Sequence, residues 1–357
     1  MNKLFFFFIL LIAACGKSGS DTPVPIVPVK ELTIKSVDAS FIPEIRTWNV
    51  PTKNRNGVAE DMLTTLKNEG VNTIRLRLWK DPIPGDAFSG FNEVKSFAQE
   101  IKNKGMKVWI TVHYSDTWAD PGAQQKPAAW TGASFAQLKD SIYNYSKKIV
   151  AEINPDYIQI GNEINGGLIW PEGSYANMAQ MTELIRQGIR GVRDQSTQTK
   201  IMLHYAGFEN ASSFFANLSA LDYDIIALSY YPLWHGKNLD QLQSSLIALG
   251  TQFNKNIVIA ETAYPFTLGW NDYTNNIIGL SSQILPEYPA TEQGQKDFLT
   301  RMKTIVLNTP KGIGLCYWGG EYIAFKGPVS TNASSWENQA LWDFNNKALP
   351  AMSIFKN

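Results

Sequence analysis

The sequence predicts an α/β protein built as one (β/α)8 TIM barrel. Past residue 30, short runs rich in β-branched residues alternate with amphipathic segments, a pattern typical of parallel strands joined by crossover helices. Eight such runs occur, which is the number that closes a barrel. A doubly wound sheet, the competing fold, normally shows fewer units and an early GxGxxG motif, and no such motif opens an early helix here. A length of 357 residues suits one barrel with insertions.

The eight predicted strands each end in a loop that leads to an amphipathic segment. Apolar residues recur at helical spacing from Val94 to Ile101 and from Leu138 to Ile149, so each segment has one face to pack on the sheet. Gly70 and Gly105 close two helices in the left-handed conformation that glycine favours. The predicted strands are Leu32–Val37, Asn72–Leu78, Lys107–Val112, Tyr157–Gly161, Lys200–His204, Ile225–Ser229, Asn256–Ala260 and Gly312–Tyr317.

The first residues are typical of a targeting segment. Lys3 precedes an apolar stretch too short to span a bilayer, and small residues lead to Cys15, which resembles a bacterial lipoprotein signal. The sequence therefore predicts a signal peptide over 1–15, lipidation of Cys15, a flexible tether over 16–30 and a catalytic barrel over 31–357. An ordinary signal peptide or a buried apolar start are the alternatives. The other cysteine, Cys316, then has no partner for a disulfide within the chain.

Composition narrows the class of ligand. Lys+Arg and Asp+Glu both number 32, and no long basic run is present, so we expect no nucleic-acid partner. The chain has 11 Trp, 14 Tyr and 18 Phe, many beside Gly, Pro, Asp or Asn rather than within apolar runs. Aromatic faces in loops stack on the C–H groups of sugar rings while polar neighbours bind the hydroxyls. The composition therefore favours a neutral carbohydrate as substrate.

Polar and aromatic residues crowd the predicted strand ends. In a barrel of this kind the C-terminal ends of the strands form the functional rim, so these residues are expected to converge there. They are Asp38, Arg75, Arg77, His113, Tyr114, Ser115, Asp116, Asn162, Glu163, His204, Ser229, Tyr230, Tyr231, Pro232, Glu261, Thr262 and Trp318.

Two glutamates stand out because each ends an apolar strand. Glu163 follows the fourth strand and Glu261 the seventh, and these strands are nearly opposite in an eight-membered ring. Glycoside cleavage needs such a pair: one carboxylic acid protonates the leaving oxygen, and one carboxylate attacks or stabilises the sugar cation. A separation of about 5–5.5 Å implies retention of configuration, and a wider gap implies inversion.

Several roles around this pair stay open from the residues alone. Arg75 and Arg77 alternate on one strand face, and an arginine near Glu261 would hold that carboxylate ionised, whereas a structural ion pair between strands is the alternative. Either Tyr230 or Tyr231 can orient Glu261, and we favour Tyr230. Rim histidines with an aspartate also suggest a zinc hydrolase, but no His-x-His pair follows the first strand, so we expect no metal.

Longer strings resemble a known family. An Asn-Glu pair after strand four with a second Glu after strand seven resembles the clan A glycoside hydrolases, all retaining. Within that clan, the chain is similar to family 53, the endo-β-1,4-galactanases, over about Asp38 to Trp342. The strings that carry the likeness are Ser115-Asp116-Thr117-Trp118-Ala119-Asp120-Pro121, Ile160-Gly161-Asn162-Glu163-Ile164, Gly167-Leu168-Ile169-Trp170-Pro171 and Ser229-Tyr230-Tyr231-Pro232.

The resemblance implies roles for individual residues. It implies arabinogalactan-type β-1,4-galactan as substrate, Glu163 as acid/base, Glu261 as nucleophile and Asn162 as the amide that binds the sugar 2-hydroxyl. Gly319-Gly320-Glu321-Tyr322 departs from the expected Glu-Pro pair, which puts the last loop's subsites in doubt. The expected substrate-binding residues are Asp38, Arg77, His113, Asp116, Trp118, Asp120, Asn162, Trp170, His204, Tyr230 and Trp318, with Trp118, Trp170, Trp234 and Trp318 as sugar platforms.

The sequence leaves two alternative functions open. One is another clan A enzyme such as a β-mannanase or cellulase, and the other is a non-catalytic, lipid-anchored glycan-binding protein. We expect no cofactor; some bacterial family members hold calcium in the last loop, and no dense Asp/Asn cluster between Trp318 and Trp342 indicates one. We expect a monomer, anchored by lipid in the bacterial cell envelope at the outer membrane, with the membrane face left open.

Overall fold

Eight parallel strands form a closed barrel in chain order in the computed structural model, which describes residues 30–356. Each strand pairs with its neighbours in sequence, and the last closes on the first. The (β/α)8 fold predicted from the sequence is confirmed. The strands are β1 Ile34–Asp38, β2 Thr73–Leu78, β3 Lys107–Val112, β4 Tyr157–Ile160, β5 Lys200–Ala206, β6 Ile225–Ser229, β7 Asn256–Glu261 and β8 Gly312–Tyr317.

Strand bounds differ from the predicted ones mainly at the rim. Strands β3, β6 and β8 match the prediction, whereas β1 and β7 run one residue further, to Asp38 and Glu261, and β5 runs two residues further. Strand β4 ends one residue early because Gly161 takes a φ of 82°. A Cβ at Gly161 would lie 2.4 Å from Ile164 Cγ2, so only glycine fits this turn.

Helices surround the barrel as the alternating pattern predicts. Gly70 and Gly105 follow two of them with φ of 95° and 74°, which confirms the predicted left-handed ends. The crossover helix expected after β8 is replaced by a short 3-10 segment, Pro350–Phe355, whose apolar side chains are buried. The α-helices are α1 Ile42–Thr47, α2 Met62–Asn68, α3 Phe91–Asn103, α4 Phe135–Ile153, α5 Met178–Gln195, α6 Ala211–Asn217, α7 Pro232–His235, α8 Leu239–Phe253 and α9 Glu292–Asn308.

The hydrophobic core has two parts, because successive residues of a barrel strand point alternately outward to the helices and inward to the barrel interior. Residues that point outward from the strands pack with the apolar helix faces in one large cluster. Inward-pointing residues form a separate small cluster that fills the barrel interior beneath the rim. The interior cluster consists of Ile34, Trp109, Tyr157, Met202, Ile225, Ala227, Val258, Ala260 and Cys316. This filled interior leaves the rim as the open end of the barrel.

The barrel belongs to one compact unit that begins at Glu31. Within residues 30–356, every helix is too short or too polar to cross a membrane. Cys316 is buried and free. The predicted signal peptide, the lipidated Cys15 and the tether up to residue 29 lie outside the described residues.

Candidate active site

A cleft of about 550 Å³ opens at the C-terminal ends of the strands. Residues from all eight strands or their following loops line it, so the cleft lies at the predicted rim. Most of the expected residues line this cleft: Asp38, Arg77, His113, Trp118, Asp120, Asn162, Glu163, Glu261 and Trp318.

Arg75 lies at the centre of the site floor. Its NH1 donates to Asp38 Oδ2 at 2.8 Å, and its NH2 donates to Glu261 Oε1 at 2.6 Å and to Asn162 Oδ1 at 3.0 Å. The parallel register places Asp38 directly beside Arg75, and the guanidinium is only 2 % exposed. One buried cation therefore orients three of the functional side chains.

Arg77 has a different environment, which answers the question left open between the two arginines. Its guanidinium packs over the rings of Phe41, Trp79 and Trp118 at 4.6, 4.7 and 4.1 Å, and its Nε donates to Ser89 Oγ. It forms no ion pair with any described residue. Arg75 therefore faces Glu261, and Arg77 forms part of the cleft wall.

Glu261 is held by hydrogen bonds to both of its carboxylate oxygens. Oε1 accepts from Arg75, and Oε2 accepts from the Tyr231 hydroxyl at 3.0 Å. The expectation that Tyr230 orients Glu261 is wrong. Ser229 and Tyr231 share the inward face, so the intervening Tyr230 points outward and donates to the Gly236 carbonyl.

Glu163 has a backbone conformation that is rare for a residue with a side chain. Its φ of 44° is left-handed, and its backbone N–H points to His204 Nδ1 at 3.3 Å. Its Oε1 accepts from Ser229 Oγ at 2.5 Å. A carboxylate oxygen of Glu163 lies within 4.8 Å of one from Glu261. The two carboxyl groups therefore face one another across the cleft.

Burial raises the pKa of both glutamates, but the neighbouring groups that counteract this shift differ between them. Burial, and then the charge of Glu261, raises the pKa of Glu163 to about 8. Burial also raises the pKa of Glu261, but Arg75 and the Tyr231 hydroxyl act in the opposite direction. The shared proton therefore resides on Glu163 at neutral pH, and Glu261 is the ionised partner.

The rim histidines are both neutral. Burial, followed by the charges of the nearby arginines, lowers the pKa of His113 and of His204 well below the usual value. His113 lines the cleft, and its Nδ1 accepts from the Ala119 N–H at 3.0 Å. His204 lies beneath the cleft wall, where its ring bonds to Gln159 and Ser229. His204 thus acts on Glu163 from below rather than on a ligand.

A zinc ion does not fit the carboxylate pair. Within residues 30–356, Glu163, His204 and Glu261 are the one group of three potential ligands whose atoms approach to within 4.8 Å. Both ring nitrogens of His204 are engaged, and both oxygens of Glu261 accept hydrogen bonds from Arg75 and Tyr231. A protonated and an ionised carboxyl group that face one another can supply acid and nucleophile without a cofactor.

The loops after β7 and β8 hold a second group of oxygens. Asp272 Oδ2, Asn276 Oδ1 and Glu337 Oε2 are buried without a hydrogen-bond partner, and burial raises the pKa of Glu337. Carboxylate and amide oxygens of this kind suit calcium, so these residues fit the structural ion that the resemblance leaves open. The oxygens come from two loops, so the sequence of the last loop alone does not indicate them.

Aromatic side chains form the walls of the cleft. Trp118, which is 40 % exposed, lies 6.1 Å from Trp318, and Trp318 packs edge-on against Trp336 at 4.7 Å. Trp234, 54 % exposed, stacks at 25° to Trp336. These indoles offer faces for sugar rings.

Trp170 and Asp116, like Tyr230 and His204, were expected to bind substrate but are not among the residues that line the cleft. Trp170 is not among the cleft-lining residues, and its Nε1 donates to the Gly166 carbonyl at 2.8 Å. Asp116 accepts from the backbone N–H groups of Asp81 and Ala128, which ties two loops together. Both support the loops that carry the site rather than the cleft surface.

Comparison with known protein families identifies the family of the chain. The model of glycosyl hydrolase family 53 matches residues 34–355, which is nearly the whole barrel. The chain belongs to glycosyl hydrolase family 53. The family resemblance stated from sequence motifs is therefore confirmed, and the chain is a glycoside hydrolase.

Curated relatives and solved structures of family 53 agree over most of the chain. An endo-beta-1,4-galactanase of Bacillus subtilis is 32 % identical over 99 % of this chain and 96 % of its own. An arabinogalactan endo-beta-1,4-galactanase of Cellvibrio japonicus is 30 % identical over 97 % of this chain and 95 % of its own. The solved family 53 catalytic domain of Ignisphaera aggregans superimposes with a TM-score of 0.86, at 38 % identity over 94 % and 98 % of the two chains.

The string that departs from the expected family 53 pattern has a clear structural role. Gly319, at φ 64°, lets Trp336 approach, since a Cβ there would lie 2.8 Å from the indole Cδ1. Glu321 is fully buried, and its Oε1 accepts from the Phe41 N–H at 2.8 Å. Tyr322 stacks on Phe41 at 3.8 Å and lines the cleft. The string therefore fastens the last loop to the segment after β1.

Sequence reasoning missed three residues of this family 53 site. Ser229 contacts Glu163, although its position predicts only the end of a strand. Gln159, on the inward face of β4, contacts His204. Trp336 belongs to a distant loop and carries no local signal. The period-two alternation of the strands would have found Ser229 and Gln159, because both share a face with known site residues.

Proposed function

We propose that this family 53 enzyme is a retaining endo-β-1,4-galactanase that cleaves internal bonds of (arabino)galactan by double displacement. The observation that carries the proposal is the Glu163–Glu261 pair, whose oxygens lie within 4.8 Å of one another. Retaining glycosidases place their carboxyl groups about 5–5.5 Å apart, and inverting enzymes leave about 6.5–9.5 Å for a water. The spacing favours direct attack by a carboxylate.

In the first step, Glu163 is the acid and Glu261 the nucleophile. Glu163, with its pKa raised to about 8, is protonated at neutral pH and gives its proton to the glycosidic oxygen. Glu261, held by Arg75 and Tyr231, attacks the anomeric carbon and forms a covalent galactosyl ester.

In the second step, Glu163 has become a carboxylate and acts as a base. It removes a proton from water, which attacks the anomeric carbon from the side that the leaving sugar vacated and displaces the Glu261 carboxylate. Two inversions give net retention. Asn162 lines the cleft and uses one of its two amide N–H groups on the Ala119 carbonyl, which leaves the other for the sugar 2-hydroxyl.

The substrate class rests on the relatives and on the aromatic cleft walls. The Bacillus subtilis and Cellvibrio japonicus proteins bear the names endo-beta-1,4-galactanase and arabinogalactan endo-beta-1,4-galactanase. Four indoles line the cleft, and its central arginine is already paired with two carboxylates. This is a surface for uncharged sugar rings rather than for a polyanion.

Purified protein should be assayed side by side on β-1,4-galactan, mannan and cellulose. We expect fragments of several lengths from galactan early in the reaction, as an endo enzyme produces. Release from mannan or cellulose alone would support the clan A rivals. Glu163→Gln and Glu261→Gln should each lose hydrolysis but keep galactan binding. If wild type binds galactan without cleaving any of the three polymers, the chain is a binding protein.

We also propose that the enzyme is a monomer, anchored at the bacterial outer membrane through lipidated Cys15. The support is the apolar stretch before Cys15 and the Gly-, Ser- and Pro-rich stretch after it. Fractionation of cells that express Cys15→Ser beside wild type tests the anchor. Wild type should stay with membranes and the variant should appear in the soluble fraction; equal partition of both would contradict the anchor. A size-exclusion mass of one chain tests the monomer.

A further inference from the structure

Ser229 connects the acid/base glutamate to a buried histidine. Its Oγ lies 2.5 Å from Glu163 Oε1 and 2.8 Å from His204 Nε2, and the residue is fully buried. The parallel register shifts between Leu228 and Ser229, so that Ser229 pairs with Glu261 across β6 and β7. This bulge places a short hydroxyl side chain between the two catalytic glutamates.

The direction of each hydrogen bond in this chain follows from the backbone. The Glu163 N–H can only donate, and it points to His204 Nδ1 at 3.3 Å, so Nδ1 is the acceptor nitrogen. The Gln159 amide also donates to Nδ1, at 2.7 Å. Since His204 is neutral, its one proton lies on Nε2 and is donated to Ser229 Oγ. The Ser229 hydrogen is then directed to Glu163 Oε1.

We propose that Ser229 is a positioning residue that keeps Glu163 Oε1 as an acceptor and makes Oε2 the oxygen that exchanges the catalytic proton. The inference rests on the proposed function. Oε1 is committed to the Ser229 hydroxyl, whereas Oε2 has no hydrogen-bond partner among residues 30–356 and Glu163 lines the cleft. In the first step the Oε2–H bond breaks as the bond from hydrogen to the leaving oxygen forms. In the second step a proton from water returns to Oε2.

The first test compares two leaving groups in the full-length Ser229→Ala enzyme. A galactan leaving group is a sugar hydroxyl that needs protonation, whereas 2,4-dinitrophenolate leaves without it. We expect kcat/KM to fall about 10- to 100-fold on galactan and less than about threefold on 2,4-dinitrophenyl β-galactobioside, since general acid catalysis contributes about 10²–10⁴-fold. Ser229→Thr keeps the hydroxyl and should restore most of the activity on galactan.

The second test is the pH profile of kcat/KM. Charged and titratable groups that face Glu163 are Glu261 from β7, Arg75 from β2, Asp120 from the loop after β3, Tyr231 after β6, and the neutral His204 from β5. These stay in place in Ser229→Ala. The variant loses two hydrogen bonds, one to Glu163 Oε1 and one from His204 Nε2, and only the first of them stabilises the Glu163 carboxylate. The alkaline limb should therefore move to higher pH in Ser229→Ala and return in Ser229→Thr.

Ser36→Ala is the matched control, because Ser36 is an equally buried serine on β1. It should keep the wild-type pH profile and the wild-type ratio of the two kcat/KM values. An equal loss on both substrates in Ser229→Ala, or an unmoved alkaline limb, would overturn the positioning role. Wild type that cleaves the aryl galactobioside but not galactan would instead contradict the proposed function, so the two failures are distinguishable.

Discussion

Arg75 NH2 and Glu261 Oε1 form a buried ion pair 2.6 Å long at the floor of the cleft. The same guanidinium pairs with Asp38 on its other side, and neither partner side chain is more than 8 % exposed. One cation thus compensates two carboxylates that have left water. Breaking such a network is costly because it leaves uncompensated buried charge.

Arg75→Met should destabilise the fold, and Arg77→Met should do so much less. The first leaves Asp38 and Glu261 without their cation, so we expect a loss of about 3–5 kcal/mol in the free energy of unfolding. The second loses ring contacts and one bond to Ser89, and we expect about 1–2 kcal/mol. Urea unfolding monitored by tryptophan fluorescence measures both. Equal losses would show that the ion pairs are not the source of stability.

Tyr231→Phe should reduce kcat, whereas Tyr230→Phe should not. Tyr231 gives Glu261 one of its two hydrogen bonds, so its removal leaves the nucleophile less well oriented, and we expect kcat about 10- to 100-fold lower on galactan. Tyr230→Phe loses only a bond to the Gly236 carbonyl, with about 1 kcal/mol of stability. Steady-state kinetics and thermal unfolding of both variants test this difference. A kcat loss confined to Tyr230→Phe would reverse the assignment.

The alkaline limb of kcat/KM against pH should report Glu163. The acid must be protonated, and burial beside Glu261 raises its pKa to about 8, so activity should be present below about pH 8 and fall as pH rises through that value. Residual activity of Glu163→Gln on an activated aryl substrate should lack this limb. A wild-type limb near pH 5 would contradict a protonated Glu163.

Trp118→Ala and Trp318→Ala should weaken binding, and Trp170→Ala should weaken the fold. The first two indoles line the cleft, so we expect KM for galactan to rise about tenfold with little change in stability. Trp170 packs on its own loop and bonds Gly166, so we expect a loss of about 3 kcal/mol with KM unchanged in the folded fraction. If Trp170→Ala instead raised KM without loss of stability, Trp170 would have to contact the substrate.

The strands and the two glutamates of the cleft were predictable from the sequence because both follow from local pattern. Each apolar β-branched run must be buried on both faces in a parallel barrel, so its length and end are visible. Glu163 and Glu261 interrupt two such runs at their ends, where the barrel rule places the site. The predicted strand ends were off by at most two residues, chiefly where polar site residues continue a strand.

Side-chain partners were harder to predict because they depend on inward or outward direction. The strand end at Ser229 contains a register shift, and only the structure shows that Tyr231 rather than Tyr230 then faces Glu261. Asp116 and Trp170 lie in motif strings but outside the cleft. Asp116 accepts from backbone N–H groups of two other segments, and Trp170 donates to a backbone carbonyl of its own loop. The sequence motifs indicate which loops form the cleft, and the hydrogen bonds of the structure show which of their residues face it.

The most direct test of the central claim is azide rescue of Glu261→Ala. Removing the carboxylate leaves space on the face of the sugar from which Glu261 attacks, and azide can attack there while the aryl group of 2,4-dinitrophenyl β-galactobioside departs. We predict that azide restores turnover and that the product is the α-glycosyl azide, identified by NMR. No rescue, or a β-glycosyl azide, would contradict Glu261 as the nucleophile.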